Sequence, residues 1–326
     1  MNEKIKVAFI YKYDCEFLTG KFFANAYYHF FMDALKRNDK IDVTYFPADN
    51  KFDVSILKNK YQIILLPDNS PMATPDELIG IKDINIPVIS RVNDPHSVEK
   101  QGKIKYHENY KIDYYFGYMH ESYFHQFYPK HFKFKTIVYG LEPSLYQNLT
   151  PYNNRIKNRI LNSGVIGNSK IHSRIINTIR NPKSNSYKHY KLRTLCTQLP
   201  YVDYTPTLEH EYINDKFPLL LSKYAASIAA TTYFPTIRYW EIPAAGCLTF
   251  MEITDKNKGK YLGYKDGESA IFINENNYKD KFEWYLNDLE NSRWETIANV
   301  GRDYALTELN NDKAVNSLAQ LMKELI

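Results

Sequence analysis

The chain has 326 residues, of which 44% are hydrophobic and 24% charged, with a formal net charge of +5. These values are normal for a globular protein of two ordinary domains. No run of about 18 apolar residues is present, so the sequence predicts no membrane-spanning helix. The mildly basic balance agrees with a diphosphate site, a nucleic acid or an anionic membrane surface, and decides between none of them.

The cysteines exclude two further classes of protein. They are few, odd in number and far apart, at Cys15, Cys196 and Cys247. No pair has the close spacing of a zinc site or a redox motif.

The start of the chain moves directly into a short strand and lacks the apolar region of a signal peptide. We therefore expect a cytoplasmic protein in a reducing compartment, with contact at the inner face of the membrane left open.

The first half of the chain alternates short β-rich runs with helical patterns. A helix is predicted over residues 20–37, where apolar residues recur at three- and four-residue steps. Several of the other runs are continuously apolar, as strands buried on both faces are. The predicted strands are 7–10, 41–46, 62–67, 86–92, 113–119 and 135–140. This alternation favours a parallel sheet with helices on both faces, so we expect residues 1–150 to form one Rossmann-like domain.

The alternation starts again after a polar stretch at 147–157, which is typical of a linker. A strand and turn are predicted over 158–167 and a helix over 169–180. Later strands are predicted at 191–197, 227–233, 247–253 and 269–273, and helices at 275–289, 291–308 and 311–325. Residues 151–326 are thus predicted to form a second Rossmann-like domain, giving two α/β halves with a cleft between them.

Ligands of open α/β sheets bind outside the carboxyl ends of the strands. The segment after the strand at 158 carries Gly164, Gly167 and Asn168, with Arg174 further on. Glycines let a backbone approach a ligand closely, and the start of a helix offers unpaired N–H groups to an anion. The alternative is a plain tight turn.

A second candidate pairs Arg238 with Glu241, three residues apart on one predicted helix that ends at Gly246. An ordinary ion pair between neighbouring turns is one interpretation. The functional interpretation is a carboxylate that accepts two ribose hydroxyls and a guanidinium that neutralises a phosphate.

Two candidates for acid–base chemistry lie in the first half. Asp94 and His96 follow the strand at 86–92, and Asp14 and Glu16 follow the first strand. Either pair faces the predicted cleft, although Asp94 also suits a helix cap and Asp14 a solvated loop.

The residues around Glu241 also form a longer pattern, R-x-x-E-x-x-A-x-G before a short buried strand. An acidic glycine turn follows at 264–268, then a G-R pair at 301–302 and Asn310. This order and spacing resembles the group 1 glycosyltransferases, in particular the CgeB-like (spore maturation protein-like) subgroup. The resemblance covers residues 158–320, and the N-terminal half matches by topology. Many group 1 enzymes carry another Glu seven residues before the ribose-binding one, where this chain has Tyr233 and Phe234 and no acid.

The resemblance implies a GT-B fold, with two Rossmann-like domains facing across a cleft and a C-terminal helix that crosses back to the N-domain. It implies a donor site in the second domain, for a UDP- or GDP-sugar, and an acceptor site in the first. Glu241 would bind the ribose, and the diphosphate would lie against Arg238, Arg174 and the Gly164–Asn168 turn. Gly246, the last residue of the pattern, would also belong to the donor site.

The expected activity is metal-independent glycosyl transfer to a glycan, lipid-linked or protein acceptor, as in polysaccharide biosynthesis, with no cofactor and no metal site. Inversion would need a base, for which Asp14, Glu16, Asp94 and His96 are candidates; in retention the leaving phosphate can take the proton. The alternatives are a nucleotide-sugar epimerase, a two-lobed binding protein and a DNA-modifying glucosyltransferase, although nucleic acid is not the favoured partner.

Overall fold

The structure is a computed structural model. It describes residues 3–15, 28–69, 72–92, 95, 102–168, 172, 176, 179–180, 185–206, 212 and 214–326. The chain divides into two compact units, Met1–Gly140 with Asn311–Ile326, and Leu141–Asn310. None of the described helices combines the length and apolar character needed to cross a bilayer.

The first unit is built on a parallel sheet with strand order β2-β1-β4-β6-β7-β8, beside a small parallel pair, β3 and β5. The strands are β1 (Ile5–Lys12), β2 (Ile41–Ala48), β3 (Lys51–Asp53), β4 (Ile63–Leu66), β5 (Glu77–Ile79), β6 (Val88–Arg91), β7 (Tyr114–Gly117) and β8 (Phe134–Thr136). The helices are α1 (His29–Arg37), α2 (Lys103–Tyr110), α3 (Glu121–Phe124) and α10 (Asn311–Leu325), with a 3-10 turn at Val54–Leu57.

The last helix, α10, belongs to the first unit. Its apolar stripe, including Val315, Leu318 and Met322, is buried in the same core as β1, β4 and α1. The buried Asn311 side chain accepts a hydrogen bond of 2.7 Å from the backbone N–H of Gly140. The stripe that the sequence shows at the end of the chain therefore packs on the N-terminal sheet.

The second unit has a parallel sheet of its own, with strand order β10-β9-β11-β12-β13. The strands are β9 (Ile156–Ser163), β10 (Val202–Thr205), β11 (Tyr224–Ala229), β12 (Leu248–Glu252) and β13 (Ile271–Ile273). The helices are α4 (Ser186–His189), α5 (Lys191–Cys196), α6 (Phe217–Leu221), α7 (Arg238–Ala244), α8 (Tyr278–Leu286) and α9 (Arg293–Glu308). Four 3-10 turns are described, at Pro143–Tyr146, Tyr152–Asn154, Asn214–Lys216 and Gly259–Leu262.

The alternating pattern read from the sequence corresponds to two parallel sheets, but some local expectations differ from the structure. The strand predicted at 191–197 is wrong, since Lys191–Cys196 is helix α5. Leu192 and Cys196 are both fully buried and lie four residues apart, so they bury one face of a helical turn. The predicted domain boundary lies at residue 150, whereas the compact units divide after residue 140 and again after residue 310. Most of the helix predicted over 169–180 lies outside the described residues.

Candidate functional site

The glycines after β9 have structural reasons to be glycine. Gly164 has a φ of +112°, a conformation that strains any residue with a side chain, and its N–H donates to the Thr205 carbonyl at 3.0 Å. A Cβ on Gly167 would lie 2.3 Å from the Cα of Tyr187. Asn168 follows, exposed to solvent, and Arg174 lies outside the described residues. The turn is therefore a close-packed backbone bend at the carboxyl end of β9.

Arg238 and Glu241 form an ion pair in the first turn of α7, where Nη1 of the arginine donates to Oε2 of the glutamate. The guanidinium also lies over the ring of Phe217, with its carbon 3.7 Å from the ring centroid. Burial raises the pKa of Glu241, and the charge of Arg238 opposes that rise. The two residues thus form the ordinary ion pair that their spacing predicts. Their side chains are 12% and 9% exposed and lie beside the carboxyl edge of the sheet.

Gly246 lies at the other end of α7. It has a φ of +72°, and its carbonyl accepts a hydrogen bond of 2.8 Å from Nη1 of Arg155. A glycine in this conformation is a common way to end a helix, and a cation there suits the helix dipole. Leu248, two residues on, begins β12, so Gly246 lies at the amino edge of the sheet, away from Arg238.

The carboxyl edge of the second sheet carries an unusual set of buried polar atoms without hydrogen-bond partners. Native proteins pair nearly all buried polar groups, so each exception requires a reason. These atoms lie at the ends of β9, β10 and β12, just after β11, and on α5. Among the residues that the structure describes they are Asn162 Oδ1, Ser163 Oγ, Thr205 Oγ1, Thr232 Oγ1, Glu252 Oε2, and Nε and Nη2 of Arg193.

Two of these groups are charged and almost fully buried. Arg193 and Glu252 are each 3% exposed, yet they do not form an ion pair. Burial raises the pKa of Glu252 to about 7, with a further contribution from the charge of Glu275. Burial lowers the pKa of the Arg193 guanidinium. A polar ligand that enters this edge would satisfy groups that the protein leaves unsatisfied.

The carboxyl edge of the first sheet is polar too, but its groups are paired with one another. The Tyr28 hydroxyl donates to Asp68, just beyond β4, and Arg91 at the end of β6 lies 3.7 Å from the same carboxylate. The Arg91 guanidinium also stacks on Tyr28, 4.2 Å from the ring centroid. Burial raises the pKa of Tyr28 well above its ordinary value, as does the charge of Asp68.

The structure describes one of the four predicted acid–base candidates. Asp14 is exposed just beyond β1, at the carboxyl edge of the first sheet. Glu16, Asp94 and His96 lie outside the described residues. Among those described, no group of three or more His, Cys, Asp or Glu side chains is arranged to hold a metal ion.

Comparison with known proteins gives no sequence match but clear structural ones. No family model matches the chain, and no curated protein does. HepE from Anabaena, solved in complex with UDP-glucose, is 12% identical with a TM-score of 0.59, over 98% of this chain and 100% of its own. A glycosyltransferase from Rickettsia africae is 12% identical with a TM-score of 0.58, over 99% of each chain. An alpha-glucosyltransferase in complex with UDP is 9% identical with a TM-score of 0.56, over 98% and 100%.

The chain has the GT-B fold. Near-complete coverage of both chains extends the match to the two sheets and the returning helix α10. The GT-B expectation is therefore confirmed, whereas the narrower CgeB-like assignment stays a prediction. At these identities the likeness concerns the fold alone.

Sequence reasoning missed three residues at the carboxyl edges of the GT-B sheets. Asp68 follows the strand predicted at 62–67, so the rule that selected Asp94 would also have selected it. Glu252 is an acid inside an otherwise apolar run, a departure that the pattern itself displays. Arg193 carried no usable signal, because its segment was interpreted as a strand.

Proposed function

We propose that the protein is a glycosyltransferase that moves a sugar from a UDP- or GDP-sugar to a hydroxyl acceptor without a metal ion. The observation that carries the proposal is the set of buried, unpartnered polar groups at the carboxyl edge of the second sheet, beside the Arg238–Glu241 pair. The occurrence of UDP and UDP-glucose in complexes of HepE and of alpha-glucosyltransferase, which share the fold, supports the choice of donor.

In this proposal the second unit binds the donor. Glu241 accepts the ribose hydroxyls, and Arg238, which already neutralises that carboxylate, turns toward the phosphates when the nucleotide is bound. The turn from Gly164 to Asn168, with Arg174, contacts the diphosphate through backbone N–H groups and charge. Gly246 is not part of the proposed contact surface, because its position at the amino edge gives it the separate task of ending α7.

Glycosyl transfer develops positive charge on the sugar and negative charge on the leaving diphosphate. Fixed guanidinium groups and N–H dipoles aimed at the diphosphate stabilise that change without a metal. The first unit binds the acceptor, a glycan, lipid-linked or protein hydroxyl. Its candidates for a base are Asp14, Glu16, Asp94 and His96, and if the reaction retains configuration the leaving phosphate takes the proton instead. In this proposal the protein works in the cytoplasm and contacts the membrane only peripherally.

Calorimetry with UDP and GDP tests the donor site. We expect one of the two nucleotides to bind the wild type, and Glu241→Ala to weaken that binding about tenfold, or about 1.4 kcal/mol. Glu268→Ala is the matched control, because its carboxylate is 65% exposed and pairs with Lys265 on the surface. Undiminished affinity in the Glu241 variant would refute the ribose assignment. Independently of that result, a thermal-shift screen over nucleotide sugars identifies the donor.

A DNA acceptor is the second candidate, because an alpha-glucosyltransferase that shares the fold was solved in complex with UDP-glucose and DNA containing an abasic site. The net charge of +5 permits this acceptor without requiring it. That acceptor predicts a steep fall of DNA affinity with salt concentration, measurable by fluorescence anisotropy. An epimerase, in contrast, would release an isomerised sugar nucleotide with no acceptor present, which a donor-only incubation detects.

A further inference from the structure

We propose that Glu252 and Arg193 together bind hydroxyl groups of the transferred sugar, and so select the donor by its sugar rather than by its nucleotide. This inference rests on the proposed function. It concerns residues that neither the sequence pattern nor the resemblance assigns, and it comes from their geometry and charge.

Glu252 is held in place beside the proposed donor site. It is the last residue of β12, and its carbonyl accepts hydrogen bonds from the Tyr239 hydroxyl at 3.0 Å and from Asn257 Nδ2 at 2.7 Å. Tyr239 follows Arg238 in the first turn of α7. The backbone of Glu252 is thus tied to the helix that carries the Arg238–Glu241 pair, while Oε2 of its side chain is buried without a partner.

Arg193 approaches the same edge from α5. Its Nη1 donates to the Val165 carbonyl at 3.2 Å, within the turn after β9, and its guanidinium carbon lies 5.0 Å from the Tyr190 ring centroid. These contacts hold the guanidinium beside the turn after β9. The two remaining donor atoms, Nε and Nη2, are buried without acceptors. The fold therefore holds a planar guanidinium at this edge with two of its donor atoms lacking an acceptor.

The separation of the two charges points to the chemistry of the ligand. The charges of Arg193 and Glu252 affect each other's pKa. A direct ion pair would offset the desolvation cost of burying both groups. The other charges near Glu252 are Glu275, Lys256 and Lys191, of which Lys191 is already bonded to Glu275. The Lys256 ammonium lies over the Tyr233 ring, 4.6 Å from its centroid. Glu252 and Arg193 are thus the charged members of the cluster with buried side-chain atoms that lack hydrogen-bond partners.

A sugar hydroxyl satisfies both groups, because it accepts from a guanidinium and donates to a carboxylate. A phosphate oxygen would satisfy Arg193 but would be repelled by Glu252 wherever that carboxyl is ionised, above a pH of about 7. Adjacent hydroxyls on a pyranose ring can bridge a donor and an acceptor that do not touch each other. The position and orientation of these hydroxyls differ between hexoses, so the pair would discriminate among them.

The test compares nucleotides with and without an attached sugar. Calorimetry measures binding to the wild type, Glu252→Gln, Arg193→Met and the control Glu290→Gln. The ligands are UDP, GDP, UDP-glucose, UDP-galactose, UDP-N-acetylglucosamine and GDP-mannose. We expect the Glu252 and Arg193 variants to bind the free nucleotide within about twofold of wild type. They should lose roughly tenfold for the preferred sugar nucleotide. The Glu290 variant, which removes a carboxylate whose side chain is 83% exposed and pairs with Lys157, should change neither.

Equal losses for free and sugar-bearing nucleotides would assign the pair to the nucleotide or to the fold, and would overturn the inference. So would unchanged affinities in both variants, or a wild type that binds UDP or GDP but gains nothing from any of the sugars. In these cases the proposed nucleotide site stands. A wild type that binds no nucleotide ends both proposals. Should Arg193→Met fail to fold, Glu252→Gln decides alone, because it keeps the shape of the side chain and removes a buried charge.

Discussion

The pH dependence of stability gives a direct test of the buried state of Glu252. In the folded protein its pKa lies at about 7, against an ordinary value of 4.5, because burial disfavours the charged form and the charge of Glu275 adds to the rise. Between these two values the folded state holds a proton that the unfolded state has lost. The stabilising contribution is therefore complete below pH 4.5 and is lost as the pH rises through 7, a difference of up to about 3 kcal/mol.

Glu252→Gln removes this titration. The variant should match the wild type in free energy of unfolding near pH 4 and exceed it by up to about 3 kcal/mol at pH 8. The charges of Arg193, Lys256 and Lys191 oppose the rise of the pKa, and the value of about 7 already includes their effect. The sign is the informative part, because most substitutions of buried residues destabilise a protein.

Tryptophan fluorescence during urea unfolding is the suitable assay, because Trp240, Trp284 and Trp294 are the protein's three tryptophans and all lie in the second unit. Unfolding is followed at several pH values for wild type, Glu252→Gln and the exposed control Glu268→Gln. The control should follow the wild-type curve. If the Glu252 variant does so too, the carboxyl titrates as an ordinary surface acid and the reasoning from burial fails.

Three further predictions concern packing. Gly167→Ala should destabilise the second unit by about 2 kcal/mol, because the added Cβ meets the backbone of Tyr187 at 2.3 Å. Gly267→Ala, where the Cβ meets open space but φ is positive, should cost about 1 kcal/mol. The shift of the tryptophan fluorescence transition measures both. Asn311→Ala should destabilise the first unit by about 2 kcal/mol, because it leaves the Gly140 N–H unpaired, which near-ultraviolet circular dichroism of the tyrosines detects. The thiols of Cys15, Cys196 and Cys247 are each at most 1% exposed, so they should resist Ellman's reagent in the folded protein and all react in denaturant. A rapid reaction before unfolding would contradict their burial.

The fold was readable from the sequence because buried parallel strands are continuous apolar runs. The segments around Val7, Ile64 and Phe250 are such runs, and each forms a central strand. Short segments were less informative. Leu192 and Cys196 suit a strand as well as one turn of helix, and only their contacts in the core decide between the two.

The candidate site was predictable only in part, for a physical reason. Residues such as Arg238 and Glu241 share one helix, so their spacing in sequence reveals their proximity. Arg193 lies on helix α5 and Glu252 ends strand β12, so only the packing of that helix against the sheet brings them to one edge. Whether such groups are satisfied depends on hydrogen bonds between distant segments, which a linear pattern does not contain.

The discontinuous first unit has a consequence for biosynthesis. Its core needs α10, which the ribosome makes after the whole of the second unit. The second unit is one continuous segment and can complete its own core while the first still exposes the apolar groove that α10 will cover. During synthesis the N-terminal half is therefore the later of the two to mature, and it is the half that a chaperone would need to protect.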